Sequence, residues 1–519
     1  MKSRQVDLSH MWGNPITLLY LALMCTTCSY AQGRGNGSVT PPLQLPLSGR
    51  QISGVVVQQS ASAPSGATTR VQIQIQGSNA GSVPTTEAIP ETFELSLSEA
   101  VQRGLRANLG IVASELSLQQ ARAQIDQARS AFLPNVAINA SENAAKLNLA
   151  AEGFSASAFG AGGGIQFPTT VGPFHYYDLH GALQQSLLDV TAIHNLRGQG
   201  KAAQAALLQS LQTREEVVLA VAGVYLQLMA DSALVDRQKA EVALGKATYE
   251  QAEAQADAGN KAPIEANRSL VEYQTEQQRL RAQMGEVRKR QIQLARLIGL
   301  PLSTRIVPRA QLNILTAEVP SLEDALKRAA SQRRDLKAGE AQVQSAEEAR
   351  KAASAQRLPS ASLNATYGIQ GTNPDHGNGV FQAAVSLNIP VYQGGRIEAD
   401  IAQADAVVRQ RRADLADLRG SVESDVRTAY VDMQVANDAV TLADSNRKLA
   451  TETLKQSQDR FAVGVADSVE VVSSQQALAA ADNDYVNSLF SQHVARIALA
   501  HSMGEAEQTL PELFERKTQ

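Results

Sequence analysis

Large aromatic side chains are scarce here, at 4% of 519 residues. A compact globular core of that size ordinarily uses more of them. Alanine and glutamine are abundant instead, a composition that favours long helices packed closely on one another. Cysteine is rarer still, with 2 residues, Cys25 and Cys28. An excess of basic charge is lacking too: the formal net charge is −4, and no Lys/Arg cluster compensates locally. That excludes the electrostatic footprint of a nucleic-acid binder. Catalytic and metal motifs are missing as well. There is no HExxH, and the 7 histidines are scattered, none at metal spacing to another His or Cys. The glycine-rich run Gly160–Phe167 lacks a following helix and a lysine, so it is no phosphate loop. Ser445 to Lys448 spells S-x-x-K but falls within a helical pattern without its partner motifs. Helix carboxylates such as Glu215 and Glu216 read as solvated faces. No catalytic residue, metal or cofactor is expected, and the chain is not read as an enzyme.

The N-terminus reads as an export signal: Lys2 and Arg4, the short apolar run Ile16–Cys25, then small residues ending at Ala31. Cleavage near Ala31 removes both cysteines and leaves a chain without disulfides, stabilised by packing and assembly. Met24 and Thr27 precede the cysteines where a lipidation signal needs a small residue, so lipidation is not expected. Beyond the signal no apolar run of about 18 residues is read, hence no transmembrane helix. Residues 32–90 are rich in Ser, Gly, Thr, Gln and Pro and read as a flexible leader.

The remainder is a tandem duplication: residues 91–300 and 320–504, joined by a linker at 301–319 and followed by a tail at 505–519. Ser96–Ala140 aligns without a gap on Ser321–Ala365, an offset of 225 residues. Each copy opens on a capping-box spacing, Ser96 with Glu99 and Ser321 with Asp324. Each opening helix is expected to run to a Leu-Pro pair, Leu133-Pro134 or Leu358-Pro359, where proline blocks continuation. Two strands with one apolar and one polar face follow, near 359–370 and 380–390 in the second copy. Their first-copy counterparts, near 134–149 and 176–188, are less regular. Between them, Gly153–Pro173 reads as a longer surface loop.

Long helices come next, about Ala192–Ala258 and Arg396–Val463, each roughly 100 Å at ~1.5 Å per residue. Part of the first carries a heptad-like seam from Leu207 through Val221, Tyr225 and Leu228 to Val235. Each reverses at a glycine, Gly259 or Gly464, and returns towards Gly299 or Gly504. The fold class is therefore mainly α with β, a duplicated helix–strand–strand–long helix–helix unit. Four membrane-type strands cannot close a barrel, and open edges are not tolerated in lipid. Several chains must share one barrel, and three would supply 12 strands.

With this order of elements, and with Ile389–Ala404 ("IPVYQGGRIEADIAQA") and Arg460–Val472 ("RFAVGVADSVEVV"), the chain resembles the TolC-like outer-membrane channels of tripartite efflux and type I secretion systems. The resemblance covers about Thr92–Gly504. It implies a homotrimer with a 12-stranded β-barrel among outer-membrane lipid, continuous with a periplasmic α-helical barrel. It implies a periplasmic adaptor and an inner-membrane pump as partners, and no nucleic acid. Pro390, Gly394, Gly395 and Arg396 would form the strand-to-helix junction; the first copy departs there, with Leu187 and Thr191-Ala192-Ile193. The turns would be periplasmic tips, with Gly464, Val463, Val465, Phe461 and Gly259 docking the adaptor; the plainer reading is that the glycines only end helices. Glu470 occupies a position where the family narrows its entrance with acidic residues, with Glu265 its match in the first copy. Ser473 stands at a second acidic position of the family. The plainer reading of Glu470 is an N-terminal helix acid favourable to the dipole. A coiled-coil scaffold and a periplasmic hydrolase are the competing classes. The alternating strands count against the first, the missing site against the second.

Overall fold

In a computed structural model, the described residues are 55–60, 70–75, 81–84, 90–149, 151, 168–259, 262–309, 312–315, 319–463, 465–466 and 468–508. All belong to one compact unit, Ile52–Gln519. The expected signal peptide, most of the Gly153–Pro173 loop, Gly464 and the end of the tail lie outside the described residues. Among the described residues, three strands precede the first helix: β1 (Val55–Ser60), β2 (Arg70–Ile75) and β3 (Thr92–Leu95). The first copy continues with α1 (Leu97–Ala107), α2 (Leu109–Ser130), β4 (Asn135–Leu147), β5 (Val171–Leu188), α3 (Val190–Asp257) and α4 (Pro263–Ile298). After β6 (Arg305–Pro308), the second copy gives α5 (Leu322–Gln332), α6 (Arg334–Ala355), β7 (Ser360–Gly371), β8 (Asn378–Asn388), α7 (Arg396–Ala462) and α8 (Ser468–Met503).

The duplicated order expected from the sequence is present, including the caps. Ser96 Oγ accepts from Glu99 N at 3.2 Å, and Ser321 Oγ accepts from Asp324 N at 3.2 Å. Five expectations need correction. First, each opening helix is broken. Asn108 interrupts the first with extended backbone (ψ 132) and caps α2 by accepting from Gly110 N at 2.8 Å. Residues 81–83 lie against that break, through Val83 N to Ala107 O and Leu109 N to Gly81 O. Arg333 interrupts the second; its buried guanidinium reaches Asp335 at 2.6 Å and Asp425 at 3.2 Å. Second, the leader carries an antiparallel pair, β1 with β2; the alternation of Val71, Ile73 and Ile75 with Gln72 and Gln74 accounts for the strand. Third, β6 lies in the expected linker and pairs in parallel with β3.

Fourth, α3 does contain an 18-residue window apolar enough to cross a membrane, of mean hydropathy 1.8, but 78% of it is buried inside the protein. Val217–Leu226 is buried on every side, so the expected one-sided seam is there a core helix instead; Leu207, at its start, is exposed. Helices α1, α4 and α8 and strands β3 and β6 surround it. Tyr225 Oη donates to Leu95 O at 2.8 Å, which satisfies a buried hydroxyl and ties α3 to β3. A second core joins α5, α6, α7 and α8 through Ala325, Leu336, Val426, Met433 and Leu499.

Fifth, Glu215 is not a solvated acid: it is 2% exposed. Its carboxylate takes the Arg334 guanidinium and, at 3.0 Å, Glu507 N. Burial raises its pKa, against the pull of these two partners. Its neighbour Glu216 is half-buried.

Candidate functional site

Strands β4, β5, β7 and β8 form one antiparallel sheet in that order. Register sorts its side chains by polarity. One face carries the rows Val136–Leu183–Ala365–Ala383 and Ile138–Gly181–Tyr367–Phe381. The other carries Asn135–Gln184–Asn364 and Ser141–Asp178–Gln370–Asn378. On that polar face His180 Nδ1 lies 2.9 Å from Asp178, and its Nε2 lies 3.4 Å from Asn139. The apolar face is bare: Ile138 is 80% exposed, Tyr367 75% and Phe381 80%. Side chains of that kind leave water only for another apolar medium. The outer strands, β4 and β8, each have one unpaired edge within the chain.

Two differently built junctions lead from sheet to long helices. In the first copy Asp189 alone separates β5 from α3 and caps it, accepting from Ala192 N at 2.9 Å. In the second, seven residues intervene, with Pro390 half-buried and Val391 and Tyr392 exposed. Gly394 (φ 61) and Gly395 (φ 80) take the left-handed turn into α7. Arg396 then donates to Gln356 Oε1 and to Asp400 Oδ2, each at 3.1 Å.

At the far ends the helices reverse. Gly259 has φ 72 and ends the α3 side of one turn. On the other, Arg460 O accepts from Val465 N at 3.0 Å and from Ala466 N at 3.3 Å. Val463 is 74% exposed and Val465 70%, while Phe461 is half-buried. The two acids meet separate arginines: Glu470 lies 3.5 Å from Arg460, and Glu265 lies 3.2 Å from Arg268. Ser473, at the second acidic position, is exposed. Lys448 of the S-x-x-K string pairs with Asp444 at 2.6 Å, a helix-surface ion pair. Among the described residues no cluster of His, Cys, Asp and Glu has the geometry to hold a metal.

The architecture is a two-faced sheet carried on paired long helices. Residues 325–505 match the model of the outer membrane efflux protein family. Solved structures share the fold. The Vibrio cholerae outer membrane protein VceC has 18% identity and a TM-score of 0.66, over 79% of this chain and 96% of that one. The Campylobacter jejuni CmeC outer membrane channel has 15% identity and a TM-score of 0.69, over 79% and 86%. The Neisseria gonorrhoeae MtrE outer membrane channel has 16% identity and a TM-score of 0.64, over 79% and 89%. No curated protein matches the chain.

Proposed function

We propose that the protein is an outer-membrane exit duct for efflux or secretion. It passively conducts substrate from a periplasmic adaptor and inner-membrane pump to the exterior, and works as a homotrimer. One observation carries the reading: a four-stranded antiparallel sheet with a bare apolar face, a polar face and two open edges. In lipid such edges must pair, and β8 of one copy runs antiparallel to β4 of the next. Three copies give 12 strands, within the known range for membrane barrels. Membrane fractionation followed by native mass measurement in detergent tests this. A trimer in the outer-membrane fraction is expected; a soluble monomer would overturn the reading.

The helical turns are the proposed docking ends for the adaptor, with exposed Val463 and Val465 as apolar contacts beside Phe461, Gly464 and Gly259. Gly464→Val should impair efflux and leave the trimer intact; normal efflux would reject the docking role. Glu470 and Glu265 are the proposed aperture acids, each balanced by a nearby arginine. Three-fold repetition gathers three copies of each, which draws cations. Glu470→Gln should therefore lower cation selectivity in bilayer recordings. Unchanged selectivity with slightly lower thermal stability would leave Glu470 as an ordinary helix acid.

A further inference from the structure

Helices α6 and α7 pack side by side just under the sheet, α6 ending at Ala355 and α7 starting at Arg396. On the side away from the sheet they enclose an open groove of about 520 Å³. Glu347, Arg350 and Lys351 line it from α6, and Asp405, Arg409 and Arg412 from α7. Each carboxylate there already has a cation. Arg350 Nε donates to Asp405, Arg412 Nη2 to Glu347 Oε1 at 2.7 Å, and Lys351 Nζ to Glu348 Oε1 at 2.6 Å. Glu348 also lies 2.8 Å from His194 Nδ1 of α3. Four cations thus meet three carboxylates, and Arg409 is the one left over. It is exposed, and among the described residues no carboxylate pairs with it.

Donors are in surplus as well. Each guanidinium offers several N–H groups in a planar fork. Arg350 engages only its Nε and Arg412 only one terminal nitrogen, while Arg409 engages none. Three partly or wholly unspent forks line one groove, which suits a phosphate, whose oxygens accept paired N–H bonds. The groove also lies near the bare sheet. Arg350 is about 8 Å from the end of α6 at ~1.5 Å per residue. Side chains of α7 lean towards its N-terminus, which is the sheet end. Leu358, about two turns above Lys351, is 49% exposed, and Val391 and Tyr392 in the junction are barer still. Cations with bare apolar side chains on their sheet side follow the order of a lipid, headgroup and then chains. We propose that this groove binds the phosphate of an anionic lipid headgroup, with Arg409 as its main contact and Arg350 and Arg412 completing the cradle. The lipid source rests on the duct reading, whereas the phosphate chemistry does not.

Native mass spectrometry of the full chain in neutral detergent tests it, at one ionic strength, with phosphatidylglycerol and phosphatidylcholine of identical chains as probes. Phosphatidylglycerol should be retained about tenfold better. Arg409→Gln, which breaks no ion pair, should bring the two lipids to near parity. Arg419→Gln is the control: Arg419 lies on the same helix outside the groove, paired with Glu340 at 3.0 Å, and its loss should leave the preference unchanged. A second arm uses inorganic phosphate against chloride in thermal unfolding. Phosphate should raise the Tm of the parent chain more than that of Arg409→Gln. This arm needs no membrane, so a soluble monomer, which would sink the duct reading, would still give an interpretable result. Phosphate protection without a lipid preference would overturn the lipid assignment and give the groove to soluble phosphates. No lipid preference and no phosphate protection, or equal losses in Arg409→Gln and Arg419→Gln, would overturn the site itself.

Discussion

Helices α3 and α7 are near twins in length, 68 and 67 residues, and occupy matching places in the two copies. Their surroundings differ. In its middle α3 is buried on every side, with α1, α4 and α8 around it. Helix α7 buries Val422, Val426, Ala429, Met433, Ala436, Val440 and Ala443, a stripe stepping alternately by four and three. That is the seam of a helix with neighbours on one side only. Its other side exposes Val431, Val435, Leu442 and Leu449, the last two 65% exposed. One helix is the interior beam of the unit and the other is its edge. A repeated sequence therefore does not imply repeated environments, and the edge helix presents an apolar stripe that suits the neighbouring copy of the proposed trimer.

Tyr225 and Tyr430 break the comparison most directly, because they match across the copies. Tyr225 is fully buried and hydrogen-bonded to Leu95 O, whereas Tyr430 is half-buried beside the second core. Tyr225→Ala should cost about 3–5 kcal/mol in chemical denaturation, and Tyr430→Ala markedly less; equal losses would erase the distinction between beam and edge. Next comes Leu442→Glu. On a free surface it should cost within about 0.5 kcal/mol, yet native mass spectrometry should show fewer trimers, since a charge would be buried at the edge contact. Trimers in undiminished yield would mean that α7 packs elsewhere.

Acid sharpens the contrast in another way. His493 and His501 are buried on α8, and burial depresses each to about 4. Their neutral forms support the fold fully above the ordinary histidine range, and that support is lost as pH falls from about 6.5 towards 4. Amide exchange in α8 should therefore accelerate over that window, and His501→Gln should blunt the effect. A purely local effect is expected at Gly259→Ala. A Cβ there meets nothing within 4 Å, so only the left-handed backbone resists it. About 1–2 kcal/mol lost locally, read by exchange at the end of α3, is the expected outcome.

What was legible in the sequence were features with a local cause. The strands follow from alternation, the helix ends from Leu-Pro pairs and capping residues, and the second junction from Gly394-Gly395. What was not legible depends on partners distant in the chain. Arg333 breaks a helix without any local turn signal, because Asp425, far along on α7, helps hold it. Asn108 is a good cap, but within a helical pattern its role emerges only where residues 81–83 lie against it. Glu215 sits beside Thr213, Arg214 and Glu216 and looks solvated; the groups that bury it come from Arg334 and Glu507. Of the proposed site, the bare valines of the turn could be read in advance. Arg268 stands three residues after Glu265, whereas Arg460 reaches Glu470 from across the turn and could not be weighed until the helices were placed.

The sheet has an uneven upper margin. Strand β5 pairs with β7 only as far as Tyr177 opposite Gly371, while Val171–Tyr176 continue against β4 alone. Six residues at about 3.4 Å each project some 20 Å past the neighbouring strand pair, with Phe174 and Tyr176 stacked at 6.1 Å on that projection. In the proposed trimer the mouth would be a crown of three tall hairpins alternating with three low ones. Anything approaching the cell from outside, an antibody or a phage tail fibre, would touch the β4–β5 crests before it reached the opening.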